Sequence, residues 1–396
     1  MSKFKKKVIC FITSSRADYG LFSRLILLCK KSFVVKIVVT GSHLSQHHGY
    51  TYNQIKNNGF KNIYRIKIQE KNHDKPYDIS FSISKTIEKF SKFFETEYCD
   101  LVVVIGDRYE IFSAVTAATI RRLPIAHIHG GELTSNAYDE YFRHSITIMS
   151  QIHFVAAKKY FKRVMQLGKN PKNIYLVGSL GVSNIKNIKI FLTKEEIEKK
   201  IHIRLAKRNI FFLFHPETLE YDYGLCKFKN TIDVLKKLRE TNIISVTSNS
   251  DTNYLQFNRI LEKESKNNKN FYFKKSINSQ EYFSLLRHCD MIIGNSSGGI
   301  IEAPSLFIPT INIGQRQHGR LRARTIIDVN KSKKEISAAI RKSFILKNKI
   351  RKNKVFFRNP YDRGDTAKKI YKILCKKKTF NNLNIKKFYD LKLNKF

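Results

Sequence analysis

Short apolar runs alternate with longer amphipathic segments through the first half of the chain. Val8–Thr13, Val34–Thr40, Asn62–Ile68, Leu101–Ile105, Ile125–His129, His153–Ala156 and Ile174–Val177 have the length and apolar character of strands buried on both faces. Between them, the 3.6-residue period predicts helices over Tyr19–Lys31, Ile79–Glu97, Glu110–Arg122, Asp139–Ser150 and Lys158–Leu167. Strand and helix repeated in this way predict a parallel sheet covered on both faces.

A second series follows a connector around Ser179–Thr193 that carries little periodicity. Its predicted strands are Ile210–Phe214, Ile243–Thr247, Phe271–Lys274, Met291–Gly294, Thr310–Ile313 and Thr325–Val329, with helices over Cys226–Leu238, Asn253–Glu264, Ser279–Arg287 and Glu335–Phe344. The pattern therefore predicts an α/β protein of two Rossmann-like, doubly wound parallel-sheet domains, residues 1–185 and 186–360. The carboxyl ends of both strand sets are expected to face a common cleft, where such sheets bind ligands. A last helix, about Asp365–Lys378 within residues 361–380, is expected to cross back to the first domain, ahead of a loosely ordered basic tail at 381–396.

Length and composition agree with this division. The 396 residues are too many for one ordinary core, and 42% hydrophobic content suffices for two. No run approaches the ~20 apolar residues of a membrane helix. Lysines near the N-terminus are followed by an apolar stretch too short for a signal peptide, so a cytoplasmic protein is expected. The six cysteines form no C-x-x-C pair, which argues against a disulfide framework or a zinc site. A net charge of +42 invites a nucleic-acid partner, but the lysines are scattered over nearly every predicted helix instead of forming one stripe interleaved with aromatics. An anionic small substrate fits the charge as well, and no specific nucleic acid or membrane partner is expected.

The chemistry gathers at strand ends. The first strand ends in Ser14-Ser15-Arg16-Ala17-Asp18-Tyr19-Gly20, where helix N–H groups and the Arg16 fork suit a phosphate; a plain Ser or Asp N-cap is the simpler alternative. Gly106-Asp107-Arg108 ends the fourth, and an Asp leaving a buried strand needs a job or a salt bridge to a neighbouring Arg. The fifth ends in His127-Ile128-His129-Gly130-Gly131-Glu132, followed by Asp139-Glu140-Tyr141-Phe142-Arg143-His144. Carboxylates and imidazoles this close can share proton-transfer work, and the glycines let backbone approach a ligand. His127 and His129 are two apart and share one strand side, whereas Glu132 lies beyond the glycine turn, so no metal site is expected. In the second half, His215-Pro216-Glu217-Thr218 ends one strand and Gly294-Asn295-Ser296-Ser297-Gly298-Gly299 another, an anion cradle with Glu302 on the first turns of the helix that follows. Neither a Walker A nor a G-x-G-x-x-G fingerprint is present, which argues against an ATPase and a nicotinamide enzyme.

Together these segments resemble the UDP-N-acetylglucosamine 2-epimerase family, in its hydrolysing branch that serves sialic- and legionaminic-type sugars. S-R-A-D-Y-G, G-D-R, H-I-H-G-G-E, D-E-x-x-R-H-S-I-T, H-P-E-T, G-N-S-S-G-G-I-I-E-A-P and G-Q-R-Q-x-G-R carry the resemblance in order from residue 8 to about 375. It implies a fold like the two-domain GT-B glycosyltransferases and a reaction without cofactor: proton removal at C2, loss of the nucleoside diphosphate from C1, and addition of water to release N-acetylmannosamine. It further implies that Arg16, Arg108, His215, Asn249, Ser296, Ser297, Glu302 and Arg316 bind the UDP-sugar. Asp107, Glu132 and Asp139, with His129 beside them, are the implied acid–base set, in a homodimer or tetramer. His129 stands where relatives can carry an acid, Gln315 where an acid often precedes the Arg, and Gly20 where some have Ser. Alternatives are the same reaction on UDP- or GDP-linked N,N′-diacetylbacillosamine, and a glycosyltransferase that delivers the sugar to an acceptor.

Overall fold

The computed structural model describes residues 6–68, 74–248, 251–352, 357–380, 383 and 387–391. Asn249 and most of the expected basic tail lie outside the described residues. The chain forms two compact units, one of Met1–Glu132, Asp139–Asn184 and Tyr361–Phe396, the other of Leu133–Tyr138 and Ile185–Pro360.

In the first unit the elements run β1 (Val8–Thr13), α1 (Arg16–Cys29), β2 (Val34–Val39), α2 (Tyr52–Asn57), β3 (Ile63–Arg65), α3 (Pro76–Thr96), β4 (Leu101–Ile105), α4 (Tyr109–Ile120), β5 (Ile125–Ile128), α5 (Asp139–Met149), β6 (Ile152–Val155), α6 (Lys158–Gln166), β7 (Ile174–Leu176) and α7 (Leu180–Lys186). The seven strands pair in the order β3-β2-β1-β4-β5-β6-β7, all parallel. The two-residue period of the strands explains why both sheet faces are dry. Ile9 and Phe11 enter one core with Leu101, Val103 and Ile105, whereas Cys10 and Ile12 enter the other with Val102 and Val104. α1 starts where the Ser15 side chain accepts from Asp18 N.

The second unit runs α8 (Lys194–Ile201), β8 (Arg208–Leu213), α9 (Leu225–Leu235), β9 (Thr241–Val246), α10 (Tyr254–Asn267), β10 (Phe271–Lys274), α11 (Ser279–Arg287), β11 (Met291–Gly294), α12 (Ser297–Ile301), β12 (Thr310–Ile313), β13 (Ile326–Val329) and α13 (Lys333–Arg351). Its six strands lie in the order β10-β9-β8-β11-β12-β13, again parallel. Ile210, Phe212 and Phe214 face one core and Phe211 the other. Capping boxes at Thr193/Glu196 and Asn278/Glu281 fix the starts of α8 and α11.

The chain then returns to the first unit, where α14 (Thr366–Leu374) seats Ala367, Ile370 and Leu374 in the core with Phe22 and Leu25. Asp365 caps it by accepting from Lys368 N at 3.0 Å and closes a two-pronged ion pair with Arg24. That pair holds the Asp365 carboxyl down at about 2.

One short excursion was not expected. Leu133–Tyr138, which joins Glu132 to Asp139, belongs to the second unit. Arg320 Nε donates to Leu133 O at 2.7 Å, Asn136 Nδ2 donates to Glu217 at 3.3 Å and Glu220 at 3.0 Å, and Tyr138 N donates to Thr218 Oγ1 at 3.1 Å.

Candidate active site

In each sheet the strand order reverses between two neighbours, β1 and β4 in the first and β8 and β11 in the second. Such switch points leave a crevice beyond the strand ends, and the polar motifs sit there.

At the first switch point, Asp18 Oδ2 accepts from Ser14 N at 3.2 Å and Ser14 Oγ at 2.8 Å, which ties the loop after β1 to its own helix. Burial pushes the Asp18 carboxyl up, and the Arg108 charge opposes that rise. Arg108 pairs with Glu110. Its Nε and terminal nitrogen donate to the two oxygens of the fully buried Glu110, at 3.1 and 3.2 Å. Arg16 and Arg108 still set the local field: burial, then Arg108, His47 and Arg16, push His48 down to about 4. His43, fixed between Thr13 Oγ1 at 3.0 Å and Thr51 Oγ1 at 2.7 Å, is pushed to about 3 by burial and Arg16. A loop with that field is suited to an anion.

Asp107 is held by Arg143, on α5, whose terminal nitrogen donates to Asp107 Oδ2. The same guanidinium donates to His129 O at 3.2 Å and lies 4.0 Å from Glu132 Oε2. His129 Nδ1 is 3.5 Å from Glu132 Oε1. The structure therefore brings Asp107, His129 and Glu132 into one connected cluster, with Asp139 buried at the first position of α5. The salt bridge that Asp107 was expected to make is present, but with a partner on another element.

The two histidines of β5 divide. His127 lies in the strand, its Nε2 donating to Gly106 O at 2.8 Å and its Nδ1 3.1 Å from Thr147 Oγ1, and burial pushes it down to about 3. His129 has left the strand in a left-handed conformation, φ +67°. Among the described residues no group of His, Cys, Asp and Glu is gathered to hold a metal ion. The following glycines serve packing: a Cβ on Gly130 would meet Thr147 Oγ1 at 2.9 Å, and on Gly131, at φ +75°, the Tyr160 carbonyl at 2.7 Å.

At the second switch point, Asn295 Oδ1 accepts from His215 N at 2.7 Å and its Nδ2 donates to His215 O at 2.9 Å. Arg316 and Gln317 both donate to Asn295 O, at 3.4 and 2.8 Å. Arg316 Nε and Gln317 Oε1 are buried with no hydrogen-bond partner among the described residues. Ser296 caps α12 by accepting from Gly298 N, and Ser297 opens the helix, both half-buried. α12 spans only Ser297–Ile301, too short for a full helix dipole, so hydroxyls and individual N–H groups are what it offers. Glu302 lies at the end of that helix and not on its first turns, yet its carboxylate folds back over Gly298. A Cβ there would meet Tyr282 Oη at 2.9 Å, Glu302 Oε2 at 3.0 Å and Ser296 Oγ at 3.8 Å. Burial pushes Glu302 up to about 7.

Arg143, Asn295 and Gln317 lie inside the motifs quoted from sequence but had no assigned role there, and Glu110 figured only as the start of a predicted helix. Two signals for them were present: Arg143 lies four residues after Asp139 and shares its helix face, and Asn295 sits inside the Ser/Gly turn.

Two parallel doubly wound units with polar motifs at their switch points place the chain in the GT-B-like fold class. The solved UDP-GlcNAc 2-epimerase of Methanocaldococcus jannaschii, in complex with UDP-GlcNAc and UDP, has this fold, with a TM-score of 0.77, 20% identity, and 93% of this chain and 99% of that one covered. The chain belongs to the UDP-N-acetylglucosamine 2-epimerase family, whose model matches residues 27–375. It is 37% identical to the polysialic acid biosynthesis protein P7 of Escherichia coli, over 84% of this chain and 85% of that protein. It is 38% identical to the hydrolysing GDP/UDP-N,N′-diacetylbacillosamine 2-epimerase of Campylobacter jejuni, over 82% and 84%. No helix among the described residues is long and apolar enough to cross a membrane.

Proposed function

We propose that this enzyme is a hydrolysing 2-epimerase that converts UDP-N-acetylglucosamine to UDP and N-acetylmannosamine. The observation that carries the reading is the joined cluster of Asp107, His129 and Glu132, with Asp139 on the adjoining helix. A base of this set takes the C2 proton; the C1–O bond breaks and its electron pair leaves with UDP, which creates a C1–C2 double bond. Water then adds, its oxygen to C1, and a proton returns to C2 on the opposite face. Two carboxylates and an imidazole in reach of one another supply both the proton acceptor and the donor.

Departure of UDP requires its new charge to be met. Arg16 and Arg108 supply that field in the first unit. In the second, Ser296, Ser297, His215 and Arg316 bind the diphosphate and uridine, with Asn249 assigned by resemblance. Glu302, desolvated by burial, accepts from the ribose hydroxyls. No cofactor enters these steps. Free cysteines at the described positions, Cys10, Cys29, Cys99, Cys226, Cys289 and Cys375, fit a reducing cytoplasm, and we take the working form to be a homo-oligomer.

A second reading keeps every step and changes the sugar to UDP- or GDP-linked N,N′-diacetylbacillosamine. The identity to the Campylobacter jejuni enzyme favours it. Assay of free-sugar release from each nucleotide sugar decides: release from the bacillosamine derivative alone overturns the N-acetylglucosamine assignment.

A further inference from the structure

Arg143 converges on the acid–base side chains while sitting almost wholly out of solvent. Its side chain is 3% exposed, whereas the Asp107 side chain it holds is 21% exposed, so the anchor is buried and the carboxylate reachable. One terminal nitrogen donates to Asp107 Oδ2, beyond the end of β4. The other donates to the carbonyl of His129, beyond the end of β5, and lies 4.0 Å from Glu132 Oε2. His129 is in a left-handed conformation, with its N–H donating to Phe154 O at 3.0 Å, so its backbone is clamped on both sides.

We propose that Arg143 is a positioning residue for the reaction, a planar clamp that sets the angle between the Asp107 carboxylate and the His129–Glu132 pair. A salt bridge serving stability alone would need one partner. This guanidinium instead links two separate strand ends, and the three contacts described above fall on Asp107, His129 and Glu132 of the acid–base set. A lysine ammonium, a point charge without a fork, cannot hold both strand ends in fixed relative orientation. The inference rests on the acid–base roles assigned to Asp107, His129 and Glu132 above.

The test is steady-state UDP release by the full chain, with UDP-N-acetylglucosamine or, where that is not turned over, UDP-N,N′-diacetylbacillosamine. For Arg143→Ala, kcat is expected to fall by about 100-fold or more, as an ångström-scale misplacement costs, with KM kept within about threefold. Added guanidinium ion is expected to restore kcat in a saturable manner, a response that lost stability would not give. Arg143→Lys, which keeps the charge, is expected to lose about tenfold in kcat and decides the matter if the alanine variant does not fold. Wild-type kcat in either folded variant overturns the proposal, as does a folded, UDP-binding Arg143→Ala that guanidinium leaves unrestored. Asp107→Asn separates the two claims: if it turns over normally, the acid–base reading fails. If it is inactive while Arg143→Ala is fully active, only the clamp fails.

Discussion

Asn295 grips His215 by both ends of its amide, accepting from the His215 N–H at 2.7 Å and donating to the His215 carbonyl at 2.9 Å. One side chain thus replaces a rung of sheet pairing just beyond β8 and β11, and it aims the His215 ring from a fixed backbone. Asn295→Ala leaves a buried donor and acceptor unmet, a loss of about 2–3 kcal/mol in stability. UDP affinity is expected to drop about tenfold, equivalent to about 1.4 kcal/mol. Chemical denaturation and titration calorimetry with UDP check both; unchanged UDP affinity would separate His215 from the nucleotide.

Glu302 makes UDP binding depend on pH. Its carboxyl is raised to about 7, so in the free protein it is protonated below that pH and ionised above it. The ionised carboxylate accepts from both ribose hydroxyls more strongly than the neutral acid, which offers one acceptor oxygen and a donor. UDP affinity is therefore expected to weaken by up to about tenfold per pH unit below about 7, beyond what UDP's own titration contributes. Glu302→Gln should bind UDP with only the ligand's own pH dependence. A wild type and variant with parallel pH curves would remove Glu302 from the nucleotide site.

His127 is read as a brace and not as an acid. Its pKa of about 3 lies below the ordinary 6.5, so the folded state binds fewer protons than the unfolded one. Its contribution is complete above about 6.5 and lost as pH falls from there toward 3, at about 1.4 kcal/mol per unit. His127→Gln should be less stable than wild type at pH 7, and that deficit should shrink on acidification by about this amount per unit. A constant deficit would contradict the neutral, carbonyl-donating tautomer.

Two glycines with positive φ should respond very differently to alanine. At Gly294, φ +138°, the new Cβ would lie 1.9 Å from Leu213 O, at the end of β8 and two residues before His215. At Gly59, φ +69°, nothing lies within 4 Å. Gly59→Ala is expected to cost about 1–2 kcal/mol, the left-handed penalty alone. Gly294→Ala is expected to lose more than about 4 kcal/mol, or to fail to fold. Comparable melting points for the two would contradict the close approach of β8 and β11.

Much of this architecture was legible in the amino-acid order, for reasons particular residues make plain. Leu101–Ile105, Met291–Gly294 and Thr310–Ile313 are short apolar runs bounded by Gly, Asp or Pro, and each forms a strand with those limits. β3 is shorter than Asn62–Ile68 suggested, because only Ile63–Arg65 pair with β2 at the sheet edge. The helix Leu180–Lys186 was hidden in a connector too short to display a period. At the site, local grouping located the carboxylates but not what holds them. Asp107 pairs with an arginine 36 residues away, while the adjacent Arg108 turns to Glu110. The excursion of Leu133–Tyr138 was equally invisible, since its contacts with Glu217, Thr218 and Arg320 span roughly half of the second unit's sequence.

In the proposed reaction the C2 proton leaves before water arrives at C1. Turnover of UDP-N-acetylglucosamine and of UDP-N,N′-diacetylbacillosamine in deuterium oxide, read by NMR of the released sugar, tests it most directly. Free 2-epimerised sugar bearing deuterium at C2 is expected together with UDP, and no such product from Asp107→Asn. Free sugar that keeps its original configuration and its proton at C2, or a sugar delivered only to an added acceptor, would contradict it.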